Sequence, residues 1–570
     1  MLKSRTSIAA GLAAVAVVAS SMTAGAAPSR SEGAATPTAP RQPSGGAQEY
    51  VVAFDGSTEA GVAAIGEAGG TVVDVNEEIG LALVTAGDTA FLDEVRSEDA
   101  VSGASRNHAV GTARPGVPHR YAEERPEAAA AAPAGTGVQA ARGAEPLANL
   151  QWDMTMIGAT VDGAHRRATG EGVDVGIIDT GIDATHPDLA PNFDRARSRN
   201  FTMDIPAVDG PCEVATCIDP ADTDDHGHGT HVAGTVGAAR NRFGVAGVAP
   251  DATLVNLRAG QDSGYFFLYE TVAALTEAGN LRLDAVNMSF YTDPWLYNCT
   301  SAGDYISGDV SDDEIAQQAL TRELILAAED YAHDRGVTLV AAAGNGHTNL
   351  ALPERFDDTS PDFPPGSERP RTVTDNCLDL PAEGPHVIAV TSVGPSTTKS
   401  DFSNYGLGDV EIAAPGGWFR DLIGTPQFQT NANLVLSSYP LDVAIAEGRA
   451  NPDGTPTDDR SVQYCNRRGK CGFYTRLQGT SMASPHVAGV AALAVEEHGR
   501  RTRGGGRSLN PDTVADILYR TASDHACPAG GVEIYTDEGR EPEFNAVCEG
   551  TTALNGLYGE GIVNAKAAVR

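Results

Sequence analysis

The feature that most constrains the fold is the alternation, from Pro146 onward, of short apolar runs with longer segments of mixed polarity. The run Val173–Ile178 is largely apolar, as in a strand buried on both faces of a sheet. Similar runs follow at Thr253–Leu257, Ala285–Met288, Val337–Ala342 and His386–Thr391. Segments such as 314–334 and 483–496 between them have helical character. This order predicts an α/β fold, a mostly parallel sheet with helices on both faces.

The N-terminus has the pattern of a targeting segment. Lys3 and Arg5 precede an apolar run from Ile8 to Ala19, and Ala24-Gly25-Ala26 supplies small residues for cleavage. This order predicts a signal peptide over residues 1–26 and therefore a secreted, extracellular protein. The apolar run is short and alanine-rich, which disfavours a membrane span.

Composition divides the rest of the chain into four parts. Residues 27–48 are rich in Pro, Ser, Gly and Ala and predict a disordered spacer. Residues 49–110 predict a small α+β unit, with strands at 50–54, 70–75 and 81–85 and helices at 58–66 and 89–97. Residues 111–145 predict an exposed linker that proteases can cut. Residues 146–570 then form the large α/β domain.

The cysteines agree with export. The chain has eight cysteines, all beyond residue 200, and an even number in an exported chain predicts up to four disulfides. Short loops favour Cys212–Cys217 and Cys465–Cys471, which leaves Cys299–Cys377 and Cys527–Cys548. Zinc is the alternative, but the sequence has no Cys-x-x-Cys pair.

The formal net charge of −36 restricts the partners. Such a charge opposes binding to nucleic acid or to an anionic membrane, so we expect neither partner. It suits a protein that works outside the cell or that binds hard cations. A generally acidic proteome in the source organism is the alternative explanation.

Three motifs carry chemically useful side chains. Asp179-Thr180-Gly181 follows the strand 173–178, at the sheet edge where α/β proteins place their sites. His228 begins the small-residue segment His-Gly-Thr-His-Val-Ala-Gly, and Ser481 begins a helical segment after Gly479-Thr480. Taken singly, each has an ordinary structural explanation: a capping Asp, a capping or core His, and a helix N-cap Ser.

Together these motifs resemble those of the subtilisin-like serine proteases, the subtilases, whose catalytic residues follow the order Asp, His, Ser. Further blocks are similar to the family, and the resemblance extends over about residues 146–570. These blocks are Val286–Ser289, Ala342–Asn345, Gly244–Pro250, Phe402–Gly406 and Gly559–Asn564.

The resemblance implies a catalytic role for four residues. Ser481 is expected to be the nucleophile, His228 the general base, and Asp179 the residue that orients the imidazole. Asn345 is expected to bind the oxyanion. The resemblance also implies substrate-binding positions at Ser289, Phe290, Ala343 and Gly344.

A calcium site is the next implication of the resemblance. Asp188 lies nine residues after Asp179, as the calcium-binding aspartate of the family does. The loop after the His228 helix would add the Asn241 side chain and the carbonyls of Ala239, Phe243 and Val245, and Gln151 is a further candidate. A plain turn without an ion is the alternative.

Some segments depart from the family pattern. Phe290-Tyr291-Thr292 stands where many subtilisins have glycines, and these rings either narrow the substrate pocket or pack inside. Residues 418–472 show little regular pattern and predict a large surface insertion. The unit 49–110 resembles the family's propeptide, an intramolecular inhibitor removed by self-cleavage within the linker, with an unrelated stalk domain as the alternative.

These observations predict a secreted, monomeric serine endopeptidase that hydrolyses proteins or peptides. A tripeptidyl-peptidase on the same fold is the first alternative, because insertions can close one end of the cleft. A binding or scaffold protein that has kept the fold is the second.

Overall fold

The structure is a computed structural model that describes residues 48–87, 90–107, 142–502 and 505–570. All of them belong to one compact unit, residues 43–570. The predicted signal peptide, residues 27–47 of the predicted spacer and residues 111–141 of the predicted linker lie outside the described residues. Within the described ranges, we find no helix with the length and apolar character that a membrane span requires.

The small domain is a four-stranded antiparallel sheet in the order β2-β3-β1-β4 with two helices. Its elements are β1 (Gln48–Phe54), α1 (Thr58–Glu67), β2 (Thr71–Asn76), β3 (Leu81–Ala86), α2 (Phe91–Val95) and β4 (Val101–Arg106). The three predicted strands and two predicted helices are present. Sequence reasoning missed β4 because its sequence, Val-Ser-Gly-Ala-Ser-Arg, contains a single large apolar residue.

The large domain is built on a seven-stranded sheet in which every neighbouring pair is parallel, in the order β14-β13-β10-β8-β5-β7-β6. Its strands are β5 (Asp174–Ile178), β6 (Arg199–Asn200), β7 (Thr253–Arg258), β8 (Ala285–Met288), β10 (Thr338–Ala342), β13 (Val387–Val393) and β14 (Ile412–Pro415). The predicted α/β fold class is confirmed.

Helices cover both faces of this sheet because alternate strand residues point to opposite sides. In β10, Val340 packs in a core with helices that include residues 228–237 and 480–498, whereas Leu339 and Ala341 pack in a second core with the helices over residues 268–281 and 312–334. The longer helices of the domain are α4 (His228–Gly237), α5 (Leu268–Leu281), α6 (Asp312–Asp334), α8 (Thr480–His498) and α9 (Pro511–Thr521). Shorter elements complete it: α3 (Trp152–Ile157), β9 (Tyr305–Ser307), β11 (Glu354–Asp357), β12 (Arg371–Thr374), β18 (Arg500–Arg501), β19 (Arg507–Ser508), β20 (Val532–Glu533), β21 (Ala546–Val547) and α10 (Ala565–Ala568).

The segment 418–472 corrects a prediction. Instead of an irregular surface insertion, it contributes most of a three-stranded antiparallel sheet in the order β15-β17-β16. Its elements are β15 (Val435–Tyr439), α7 (Leu441–Ala446), β16 (Val462–Cys465) and β17 (Cys471–Leu477). β15 is buried throughout and touches α4, since the Ser437 hydroxyl donates to the His231 carbonyl. The sequence Val-Leu-Ser-Ser-Tyr did not predict a buried strand, because two of its five residues are polar.

All eight cysteines form the four predicted disulfides, Cys212–Cys217, Cys299–Cys377, Cys465–Cys471 and Cys527–Cys548. Two of them close local loops with sequence separations of 5 and 6 residues. The Cys299–Cys377 bridge spans 78 residues, and both of its cysteines are fully buried.

The small domain packs on the outer helices of the large domain. Val51, Ala53 and Leu81 belong to the same apolar core as α5 and α6. Within this contact, the Asn76 amide donates to Thr276 Oγ1 at 2.6 Å, and both residues are buried. Arg96 pairs with the exposed Asp313 at 2.7 Å. The contact is therefore an apolar interface with one buried hydrogen bond and one exposed ion pair.

Candidate active site

Asp179 and His228 meet at the carboxyl edge of the parallel sheet. Asp179 follows β5 and His228 begins α4, so the strand end and the helix start bring the two side chains together. The Nδ1 atom of His228 lies 2.8 Å from Oδ1 of Asp179, and both residues are buried. An imidazole held through Nδ1 has Nε2 as its second nitrogen for proton transfer.

Asp224, which sequence reasoning missed, fixes the start of α4. Its Oδ1 accepts hydrogen bonds from the Thr180 hydroxyl and the Gly227 amide at 3.0 and 2.8 Å. Its Oδ2 accepts from both the amide and the hydroxyl of Thr230. One buried carboxylate thus ties the Asp179 strand end to the His228 helix. The sequence signal that could have identified this residue is the pair Asp224-Asp225 directly before His226-Gly227-His228.

The turn before His228 needs a glycine. Gly227 has φ +92°, and a Cβ there would lie 2.5 Å from the ring of Tyr439. Any larger residue would therefore displace β15 or the helix start.

Ser481 is the second residue of α8, where free helix amides can stabilise negative charge. Its hydroxyl donates to the Ser289 carbonyl at 3.4 Å. In turn, the Ser289 hydroxyl donates to the Ser481 carbonyl at 3.0 Å and lies 2.9 Å from Ser484 Oγ. The end of β8 therefore supports the helix start that carries the serine.

Asn345 is hydrogen-bonded to Thr480, the residue that precedes Ser481. Its Oδ1 accepts hydrogen bonds from the amide and the hydroxyl of Thr480, each at 2.9 Å. Two donors on Oδ1 fix the orientation of the amide, so Nδ2 is the group that can donate elsewhere. The Thr480 hydroxyl also accepts from the Gly344 amide at 3.2 Å, which links this asparagine to the end of β10.

Burial is the main influence on the pKa of Asp179 in the Asp179–His228 pair. Burial raises the pKa of Asp179, while the neighbouring His228 opposes that rise. The second histidine of the motif, His231, is different: burial lowers its pKa to about 3, and its Nε2 lies 3.1 Å from the Val435 carbonyl. His231 is thus a hydrogen-bonded core residue.

The expected substrate-binding positions lie along two strand ends. Ser289 follows β8 and is fully buried, as is Ala343 after β10. Gly344 adopts φ +95°, and a Cβ there would lie 2.4 Å from Asn404 Nδ2. Phe290 is only 5% exposed and stacks on Phe266, with ring centroids 4.1 Å apart. Of the two alternatives for its ring, the structure shows inward packing.

The expected calcium ligands surround Asp188, whose side chain is fully buried. Its carboxylate accepts from Tyr474 Oη at 2.7 Å, the Val245 amide at 3.1 Å and the Asn241 amide at 3.3 Å. Ala239, Phe243 and Val245 are buried, and among the described residues none donates a hydrogen bond to their carbonyls. Carbonyls without hydrogen bonds beside a buried carboxylate fit a hard cation. The Asn241 side chain, in contrast, presents its NH₂ group to the Pro187 carbonyl and to Asp188. Gln151 lies beside this group, since its side chain exchanges two hydrogen bonds with Ala246, the residue after Val245.

A parallel α/β fold with a buried Asp–His pair, and with a serine at an adjoining helix start, is typical of serine hydrolases, a class that includes serine peptidases. Within this class the chain belongs to the subtilase family, whose family model matches residues 170–561. It is 30% identical over 355 residues to subtilisin DY of Bacillus licheniformis, covering 62% of this chain and 85% of that protein. It is 27% identical over 381 residues to thermitase of Thermoactinomyces vulgaris, covering 67% and 90% of the two chains.

Solved structures show the same fold. The epidermin leader peptide processing serine protease of Staphylococcus aureus aligns with a TM-score of 0.57 and 20% identity, over 92% of this chain and 98% of that one. Fervidolysin of Fervidobacterium pennivorans, a keratinolytic enzyme, aligns with a TM-score of 0.53 and 21% identity, over 93% and 62% of the two chains.

Proposed function

We propose that this serine peptidase is a secreted endopeptidase that cleaves proteins through an acyl-enzyme on Ser481. The observation that carries the proposal is the 2.8 Å contact between His228 Nδ1 and Asp179 Oδ1, in a chain whose α8 begins with Thr480-Ser481. This contact favours the tautomer that a base toward serine needs, with the proton on Nδ1 and the lone pair on Nε2.

In the proposed mechanism, the Ser481 hydroxyl attacks the peptide carbonyl while His228 Nε2 takes its proton. Asp179 holds the ring and stabilises the imidazolium. His228 then gives the proton to the leaving amine, and water releases the acyl group by the reverse steps.

The oxyanion would be bound by the Ser481 amide and by Asn345 Nδ2. The hydrogen bonds from Thr480 to Asn345 Oδ1 support this role, because they direct Nδ2 away from the protein donors before substrate arrives. Donors that need no reorganisation are the effective ones in such a site.

Calcium would be held by Asp188, Asn241 and the carbonyls of Ala239, Phe243 and Val245. When bound, it would supply charge neutralisation and rigidity to the loop after α4 and no chemistry at the peptide bond.

The small domain would act as a propeptide that inhibits the enzyme until self-cleavage in the linker. Its apolar contact with α5 and α6 supports a tight intramolecular complex. After the cut, this contact would keep the cleaved domain bound until it is released or degraded.

The first test compares the intact mass of the secreted wild type with that of Ser481→Ala. We expect the wild type to begin near residues 115–150 and the variant to retain residues 49–110. Equal trimming of both proteins would assign the cut to another protease. A fluorophosphonate probe that failed to label the mature wild type would contradict the catalytic role of Ser481.

A second test separates endopeptidase from tripeptidyl-peptidase activity. We expect cleavage of a long N-blocked peptide, which a tripeptidyl-peptidase cannot use. Cleavage restricted to a substrate with a free amine three residues before the bond would favour the alternative.

A further inference from the structure

Lys399 is a fully buried lysine that the proposed mechanism does not use. Its Nζ atom donates to the backbone carbonyls of Ser400, Asp401 and Ser403 at 2.9, 3.4 and 2.7 Å. An ammonium group has three N–H donors and a neutral amine has two, so three acceptors match the protonated form. A buried charge is costly, and an apolar side chain here would avoid that cost. The lysine therefore calls for an explanation other than its own contribution to stability.

Two aromatic rings complete the surroundings of Nζ. The ring centroids of Tyr405 and Tyr535 lie 5.0 and 5.5 Å from it, within the range of cation–π contacts. Tyr535 belongs to the loop closed by the Cys527–Cys548 disulfide, and its hydroxyl donates to the Lys399 carbonyl at 2.7 Å. Carbonyls and rings from two parts of the chain thus converge on one charged group.

The segment around Nζ also holds the turn that carries Asn345. The Asn404 amide donates to the Gly344 carbonyl at 2.9 Å. The Phe402 carbonyl accepts from the His347 amide at 2.7 Å. These two hydrogen bonds lie on either side of Asn345 in the sequence, so they fix the backbone on both sides of it.

Thr348 adds two hydrogen bonds to this contact. Its amide donates to Asn404 Oδ1, and its carbonyl accepts from the Tyr405 amide, both at 2.9 Å. Four hydrogen bonds therefore join residues 344–348 to residues 402–405. A shift of the segment around Lys399 would move the turn that carries Asn345.

We propose that Lys399 is a positioning residue, which orders residues 400–405 and thereby holds Asn345 in place for the oxyanion. The inference rests on the proposed function, because that function gives Asn345 its oxyanion role. Oxyanion donors are effective when they are held in place before the reaction, and a small misplacement is costly. Without Lys399, three buried carbonyls would lack a donor, and the segment that supports Asn345 would rearrange to satisfy them.

The test is a double-mutant cycle on the matured enzyme with an N-blocked peptide substrate. The variants are Lys399→Met, which keeps the length of the side chain and removes its charge, Asn345→Ala, and the combination of both. Lys566→Met is the control, because it makes the same change at an exposed lysine. Titration with a fluorophosphonate counts the competent Ser481 in each sample, and Tm confirms that each protein is folded.

We expect Lys399→Met to lower kcat by about 10- to 100-fold with KM nearly constant, and Lys566→Met to match the parent. In the Asn345→Ala background, Lys399→Met should lower kcat by less than about twofold, because the residue that it positions is already gone. An equal factor in both backgrounds would indicate a general structural role and would overturn the proposal. An unchanged kcat in Lys399→Met would do the same.

Lys399→Gln keeps the test open if Lys399→Met does not fold, because its NH₂ group still offers two donors to the carbonyls. Its kcat should lie below that of the parent, and its effect should also shrink in the Asn345→Ala background. Additive effects here would again refute the positioning role. A parent enzyme that the fluorophosphonate does not label would contradict the proposed peptidase activity itself, whereas a labelled, active parent with additive variants would contradict only this inference.

Discussion

The side-chain amide of Asn107 donates to both carboxylate oxygens of Glu270, each at 3.3 Å. Asn107 follows the last strand of the small domain, and Glu270 lies in the first turn of α5 in the large domain. The Tyr269 amide donates back to Asn107 Oδ1 at 3.2 Å, and both Asn107 and Glu270 are buried. This polar contact holds the small domain to the peptidase domain immediately before the predicted linker.

The first prediction concerns the pH dependence of this contact. Burial raises the pKa of Glu270 to about 8, and the charge of Glu49 adds to the rise. The folded chain therefore holds a proton on Glu270 that the unfolded chain releases above a pKa near 4.5. Stability should fall as pH rises from about 4.5 to about 8, by a few kcal/mol at about 1.4 kcal/mol per pKa unit.

Glu270→Gln should flatten this part of the pH profile, because the amide is neutral at every pH. Denaturant unfolding of the full Ser481→Ala chain at pH 5, 6.5 and 8 measures the slope. Glu67→Gln, at an exposed position of α1, is the control and should keep it. An identical slope in Glu270→Gln and its parent would refute the prediction.

The second prediction concerns Asn345. Removing its amide in Asn345→Ala should lower kcat by about 100- to 1,000-fold with a small change in KM, as for the equivalent asparagine in subtilisin. Labelling by a fluorophosphonate should persist, since Ser481 and His228 remain. Thr480→Ser keeps both hydrogen bonds to Asn345 Oδ1 and should retain most activity. A fall in kcat below tenfold for Asn345→Ala would remove this residue from the oxyanion site.

The third prediction ranks two disulfides. A disulfide that closes a longer loop restricts the unfolded chain more. The expected stabilisation is about 4 kcal/mol for a loop of nearly a hundred residues and about 2 kcal/mol for a loop of a few residues. Replacing Cys299 and Cys377, separated by 78 residues, should therefore cost more stability than replacing Cys465 and Cys471, separated by 6. Urea unfolding of the two Cys→Ala pairs in the Ser481→Ala chain checks the order, and a reversed order would contradict it.

The sequence was sufficient for five of the seven strands of the parallel sheet, because these five are runs of mostly buried residues. It did not predict β14, or β6, a strand of two residues that are not buried. Its motifs also placed Asp179 after a strand and His228 and Ser481 at helix starts. Each of these positions follows from local sequence, and their meeting at one sheet edge follows from the rule for parallel strands.

What could not be read from the sequence depends on distant partners. Phe290 packs inward because Phe266, on another segment, offers a ring to stack against. β15 is buried by α4 although Ser437 and Ser438 are polar, since the Ser437 hydroxyl bonds the His231 carbonyl. The carboxylates of Asp204, Glu213, Asp219 and Asp262 lie within 4.8 Å of one another although no local motif joins these residues.

The last prediction concerns Asp224, a positioning residue that does not touch the reacting atoms. Its carboxylate accepts from Thr180, Gly227 and Thr230, and it is 2% exposed. Asp224→Asn would turn an NH₂ group toward at least one of these donors, because an amide accepts through one oxygen only. The start of α4 should then shift, and a misplacement near 1 Å lowers kcat by about 100-fold. We expect kcat to fall by about 10- to 100-fold with KM nearly constant, and the acidic limb of the kcat/KM profile to move, since the charge beside the Asp179–His228 pair is lost.

Asp183→Asn is the control, because it removes a nearby charge whose hydrogen bonds go to Thr185. Equal kinetics for the two variants would mean that charge alone acts here, and that the hydrogen bonds of Asp224 do not position His228.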